Sequence, residues 1–137
     1  MTESPTRRAQ LRWEGGMRFR GGELGRPETL LDADGTEAPG PFIALVLAAG
    51  ACAASDVVLI LGKSRVQLTE ARVELLATRR AEPPRRLLAL ELVFHLRGEG
   101  LTESNAARAV DLSITKYCSV LASLAPDTAV THAIRLG

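Results

Sequence analysis

The feature that most constrains this chain is the stretch 42–61, which contains no proline and a single charged residue, Asp56. Pro41 in front of it suits the first turn of a helix, where a missing N–H costs nothing. The stretch predicts a helix that is apolar nearly all round. By length alone such a helix could cross a bilayer, for which about 20 residues suffice. Asp56, the many alanines and the lack of flanking signals direct it instead to the middle of a soluble fold or a dimer, not to a membrane.

The segments on either side predict strands. Residues 11–19 alternate apolar and polar around Gly15-Gly16, the pattern of a β-hairpin with a primed turn. Leu11, Trp13, Met17 and Phe19 are expected to face a core, with Arg18 and Arg20 on the opposite side. A third strand is expected near residues 28–32, followed by a loop over 34–40. After the helix, residues 67–79 and 86–97 read as two long strands joined at Glu82-Pro83-Pro84. In the second of these Leu88, Leu90, Leu92, Phe94 and Leu96 alternate with more polar positions. A second helix is expected from an N-cap at Thr102 to Leu124, and a closing strand over 128–136. The resulting order, βββ-α-ββ-α-β, makes the fold class α+β, with strands grouped in hairpins.

Length and charge narrow the function. A chain of 137 residues fits one domain, with residues 1–9 expected as a flexible N-terminus. Its 17 basic and 16 acidic side chains leave a net charge of +1, which provides no general field for a polyanion, so nucleic acid is not an expected partner. Behind Arg7 and Arg8 there is no apolar run of the secretory kind, and the expected location is the cytoplasm. In that reducing compartment a pair of cysteines is more often free or redox-active than permanently bridged.

The chain has two cysteines, Cys52 inside the apolar helix and Cys118 inside the second. Read alone, each fits a small buried hydrophobe as well as a reagent. They cannot build a zinc cage by themselves, and His95 and His132 stand at no metal-ligand spacing from them. No metal is expected.

The text around the cysteines carries more. Residues 51–65, Ala-Cys-Ala-Ala-Ser-Asp-Val-Val-Leu-Ile-Leu-Gly-Lys-Ser-Arg, and 112–120, Leu-Ser-Ile-Thr-Lys-Tyr-Cys-Ser-Val, occur in order with Gly98-Glu99-Gly100-Leu101 between them. Over residues 11–136 the chain resembles the OsmC/Ohr family of osmotically inducible and organic hydroperoxide resistance proteins. The resemblance implies an intertwined homodimer whose long central helices pack back to back, with both cysteines near the subunit interface. It also implies thiol-dependent reduction of small organic hydroperoxides without a metal or organic cofactor. Cys52 would be the peroxidatic thiol and Cys118 the resolving one, with an outside thiol or dithiol as reductant.

A thiol of ordinary pKa is only about 3% ionised at neutral pH, so such a site needs stabilisation of the thiolate. Peroxidase members of the family use an N-terminal arginine oriented by a glutamate just after the helix-opening proline. Here those positions are Phe42 and Ile43. Arg18, Arg20 and Arg26 are the candidate arginines and Arg20 is preferred, because it leads directly into the following loop; Glu37 is the candidate replacement for the carboxylate. Asp56, one turn after Cys52, is expected to pair with Lys63, a backbone group or a second subunit. The missing glutamate keeps a second expectation open, that of a non-enzymatic relative binding a small apolar or thiol-reactive ligand in the same cleft. A permanent Cys52–Cys118 bridge is the third.

Overall fold

The computed structural model describes residues 4–137. The chain divides into two compact units, Met1–Leu45 and Val46–Gly137. The first three residues of the segment expected to be a flexible N-terminus lie outside the described residues. Within that segment the Arg7 guanidinium makes two hydrogen bonds to the Glu23 carboxylate, at 2.7 and 2.9 Å.

In the first unit, β1 (Ala9–Trp13), β2 (Arg18–Glu23) and β3 (Thr29–Asp32) form an antiparallel sheet in that order. The hairpin aligns Trp13 with Phe19. Gly15 and Gly16 make its turn at φ +96° and +55°, conformations that side chains other than hydrogen resist. Leu11, Trp13, Met17 and Phe19, expected in a core, are 59, 67, 49 and 40% exposed. Alternation records which side of a strand is apolar, and the chain itself leaves that side uncovered. At the end of β3 the buried Asp32 carboxylate organises the loop toward the long helix. It accepts from the Asp34 N–H, the Thr36 hydroxyl and the Glu37 N–H, each at 3.0 Å.

The long helix, α1 (Pro41–Lys63), runs from the first unit into the second. Val46, Ala49, Gly50, Ala53, Val57 and Leu61 are buried, at the three- and four-residue spacing of one helix face. On the other side Leu47, Val58 and Leu59 are about half exposed. The helix is apolar all round, as its sequence predicts, yet walled within the chain on one side. It ends with Val66 N–H bonded to the Leu61 carbonyl and Arg65 N–H to that of Gly62, a Schellman motif with Arg65 in the left-handed position.

In the second unit β4 (Gln67–Arg79) and β5 (Leu87–Glu99) form a long antiparallel hairpin, and β6 (Ala129–Leu136) adds to β5. β6 runs parallel to β5, so the strands are not all grouped in hairpins. A parallel neighbour requires a crossover, which the second helical region supplies. Leu90, Leu92, Phe94 and Leu96 form the buried row of β5, as their alternation predicts. Leu88, expected in that row, is exposed, while Leu87 is buried. The register slips opposite Thr78 and Arg79, and this β-bulge reverses the facing of the residues before it.

The crossover begins as α2 (Glu103–Leu112), capped by Thr102 as the sequence predicts. Thr102 Oγ1 accepts from the Asn105 N–H, and Asn105 Oδ1 accepts from the Thr102 N–H. The expected single helix to Leu124 does not persist. It widens into a π-helical turn, Ser113–Tyr117, and breaks at Cys118 before a last short turn, α3 (Ser119–Ala122).

Candidate active site

The break is what makes the site. In the π turn the Cys118 N–H reaches back five residues to the Ser113 carbonyl, at 2.8 Å. The Thr115 hydroxyl bonds the Asp111 carbonyl at 2.7 Å, the kind of back-bond that loosens a regular helix. Cys118 is therefore extended, at φ −70° and ψ 102°, and serves as N-cap of α3. Its sulfur accepts from the Leu121 N–H at 3.5 Å.

Cys52 faces this N-cap from α1, and Asp56 follows one turn later on the same face. The two sulfurs and a carboxylate oxygen of Asp56 all lie within 4.8 Å of one another. Both thiols are free. Cys118 is buried, with its sulfur 4.0 Å from the Ala49 carbonyl, whereas Cys52 is half-buried and meets the Ser119 hydroxyl at 3.8 Å.

Their surroundings push the thiols apart in acidity. The backbone N–H of Val120, first, and then the Cys118 thiol and the hydroxyl and N–H of Ser119 stabilise the Cys52 thiolate. They outweigh desolvation and hold Cys52 below the usual cysteine range. Burial, more than any other cause, pushes Cys118 up, and the neighbouring Cys52 adds to it. Of the two thiols, Cys52 is thus the more readily ionised.

Among the described residues no ion pair joins Asp56 to Lys63, the first partner expected for it, and its recorded hydrogen-bond partner is Ser113. The buried Ser113 hydroxyl lies 3.3 Å from its Oδ2 and 2.8 Å from the Ala53 carbonyl. A hydroxyl has one proton to donate, so the two acceptors share it. A count of cysteines and histidines overlooks Asp56 as a third donor beside the thiols. Two thiols and one carboxylate remain one short of the four protein ligands of a structural zinc site. Beside the cluster opens a cavity of about 440 Å³, lined by Asp56, Leu59, Lys63, Arg108 and Tyr117 among others.

Ser113, Ser119 and the Val120 N–H escaped the reading of the sequence as site groups. The first two stand in the text around Cys118, but their roles depend on the helix breaking there. The candidate arginines belong to the first unit. Arg20 Nε pairs with Glu14 at 2.9 Å and Arg18 Nε with Glu37 at 3.4 Å. The first turn of α1 has no acidic residue.

Residues 33–133 match the family model described as OsmC-like protein. The chain belongs to the OsmC family. Among OsmC relatives, protein YhfA of Escherichia coli K12 is 39% identical over 125 residues, which is 90% of this chain and 93% of YhfA. A solved structure of a hypothetical protein from Aquifex aeolicus VF5 is 25% identical, with a TM-score of 0.87 and 98% of each chain covered. The OsmC fold also superposes on an organic hydroperoxide resistance protein from Legionella pneumophila described as a predicted redox protein. There the TM-score is 0.66 at 16% identity, over 98% of this chain and 99% of the other. The OsmC assignment agrees with the resemblance read in the sequence, and several structural neighbours of this α+β fold are hydroperoxide resistance proteins.

Proposed function

We propose that this protein is a thiol-dependent peroxidase that reduces small organic hydroperoxides with Cys52 and Cys118. The observation that carries the proposal is the pairing, within 4.8 Å, of a half-buried thiol held below the usual cysteine range with a buried one pushed above it. The Cys52 thiolate attacks the terminal peroxide oxygen; an S–O bond forms, the O–O bond breaks, and the alkoxide leaves as alcohol after taking a proton. Cys118 then displaces the hydroxyl of the Cys52 sulfenic acid, giving a disulfide and water. An external thiol or dithiol reduces the disulfide by exchange, returning both thiols. The cycle needs neither metal nor organic cofactor.

Two further elements belong to this proposal. Arg20 supplies the cation that favours the Cys52 thiolate, with Glu14 in place of the family's glutamate as its orienting carboxylate. The protein works as a homodimer in the cytoplasm, and a second copy covers the apolar faces that one chain leaves open on β1, β2 and α1. Turnover of an alkyl hydroperoxide with a dithiol tests the activity; it should be measurable for the native protein and lost in Cys52→Ser. No turnover with any thiol, dithiol or lipoamide-type reductant rejects it.

A second reading is favoured by Phe42 and Ile43 at the opening of α1, where the first turn lacks a carboxylate. In that reading the protein binds a small apolar or thiol-reactive ligand beside the thiols without turning it over. It predicts saturable ligand binding and only a slow rise to Cys52 sulfinic acid under peroxide.

A further inference from the structure

A carboxylate beside two thiols is an unexpected neighbour for a site that must ionise one of them. Negative charge at Asp56 repels the Cys52 thiolate and works against the donors of Ser119 and Val120. Its place on α1, one turn from Cys52 and within 4.8 Å of both sulfurs, therefore calls for a role other than thiolate stabilisation. The second chemical step supplies one.

Building on the peroxidase reading of the same site, we propose that Asp56 is its proton carrier: the carboxylate takes the Cys118 proton as Cys118 attacks the Cys52 sulfenic acid, and returns it to the departing hydroxide. In that step the S–S bond forms and the S–O bond breaks. Cys118 sulfur gives an electron pair to Cys52 sulfur, the hydroxide leaves with the S–O pair, and the Cys118 proton converts it to water. Asp56 ends as it began, and the oxidant is the peroxide already consumed.

Cys118 requires such help because its sulfur is enclosed. Only 3% of the residue is exposed, so bulk water has little access to its proton. Besides Cys52, which is the sulfenic acid at this step, the groups nearest the sulfur among the described residues are the Ala49 carbonyl and the N–H groups of Leu121 and Val120, and none of them can keep a proton. Asp56 is the member of the cluster that can. Ser113 steadies it, with one hydroxyl proton shared between Oδ2 and the Ala53 carbonyl. The other charged or titratable groups around Asp56 are Lys63 on α1, Arg108 on α2 and Tyr117 of the π turn, all facing the adjoining cavity.

The test separates the two steps in a single turnover of the reduced full-length chain with one equivalent of cumene hydroperoxide. Sulfenic acid formation is followed by dimedone trapping and disulfide closure by quenched mass spectrometry. In Asp56→Asn sulfenic acid should still form at Cys52, whereas closure at neutral pH should slow by about tenfold or more. The lost rate should return as pH rises and Cys118 ionises unaided, and Asp56→Glu should restore part of it at neutral pH. In the native chain, closure should carry a solvent deuterium isotope effect that Asp56→Asn alters, a readout that a packing defect would not give. Closure in Asp56→Asn with the native rate and pH profile overturns the proton carrier and leaves the peroxidase reading intact. Formation of neither Cys52 sulfenic acid nor a Cys52–Cys118 disulfide in the native chain overturns both. Should Asp56→Asn fail to fold, a native closure rate without a solvent isotope effect contradicts the proposal.

Discussion

Cys118 sits beside Cys52 because the helix that carries it breaks at Cys118 itself. An unbroken helix through this position would use the Cys118 N–H four residues back and leave no extended residue to cap α3. The π turn instead spends that N–H on Ser113. The following N–H groups of Ser119 and Val120 are then turned toward Cys52. One local irregularity thus brings the two sulfurs together and separates their acidities.

Val120→Pro removes the N–H that contributes most to lowering the Cys52 pKa, at a first-turn position of α3 where proline is sterically acceptable. The pH at which Cys52 is half-alkylated should rise toward the ordinary thiol value of about 8.5. Cys118 should remain the later of the two to react. Iodoacetamide labelling across pH with peptide mapping measures both, and an unchanged Cys52 profile would show that the backbone is not what acidifies it.

Arg20 and Arg18 occupy the same side of β2 but hold different carboxylates, Glu14 and Glu37. Arg20→Met should slow the reaction of Cys52 with peroxide by about 10- to 100-fold, a loss of the size expected for one charge-assisted contact to an anion. Arg18→Met should leave most of the rate. Single-turnover kinetics decide between them, and the reverse order would transfer the role to the Arg18–Glu37 pair.

Asp32 gives a pH signature of stability. Three hydrogen bonds to its carboxylate, the Glu37 N–H foremost, hold its folded pKa below the unfolded value. The stabilisation is therefore complete above the unfolded value, near 3.9, and is lost as pH falls through the lower folded one. Asp32→Asn should lower the unfolding midpoint at neutral pH and flatten its fall in acid. Thermal melts of the two proteins from pH 7 to pH 2 provide the comparison.

The order of elements was legible because periodicity is local. The buried row of β5 and the extent of α1 could be read directly from the chain. What escaped depended on contacts distant in sequence. Leu88 follows the alternation and is still exposed, because a bulge against β4 shifts the register. Trp13 and Phe19 have the residue types of a core, but whether anything covers them is not written in a strand. At the site, Cys52 and Asp56 share a face by helix geometry alone. Ser113 and Cys118 join them only through tertiary packing, so the pairing rested on family text until the fold brought the sulfurs together.

Those uncovered faces yield a prediction of assembly. Leu59 is 58% exposed on α1 and Val58 beside it 47%. Leu59→Glu would place a charge where the proposed dimer needs an apolar contact. Sedimentation velocity should show the native protein as a dimer and the variant shifted toward monomer. A native protein that sediments as a monomer at micromolar concentration removes the homodimer from the account.

The central claim is that Cys52 and Cys118 form one redox unit. Intact-mass measurement of the reduced chain after one equivalent of an organic hydroperoxide tests it most directly. The account predicts prompt loss of two hydrogens per chain, mapped by peptide analysis to a Cys52–Cys118 disulfide and reversed by a dithiol. A mass that stays unchanged, or that climbs slowly by oxygen additions at Cys52 with Cys118 still free, would contradict it.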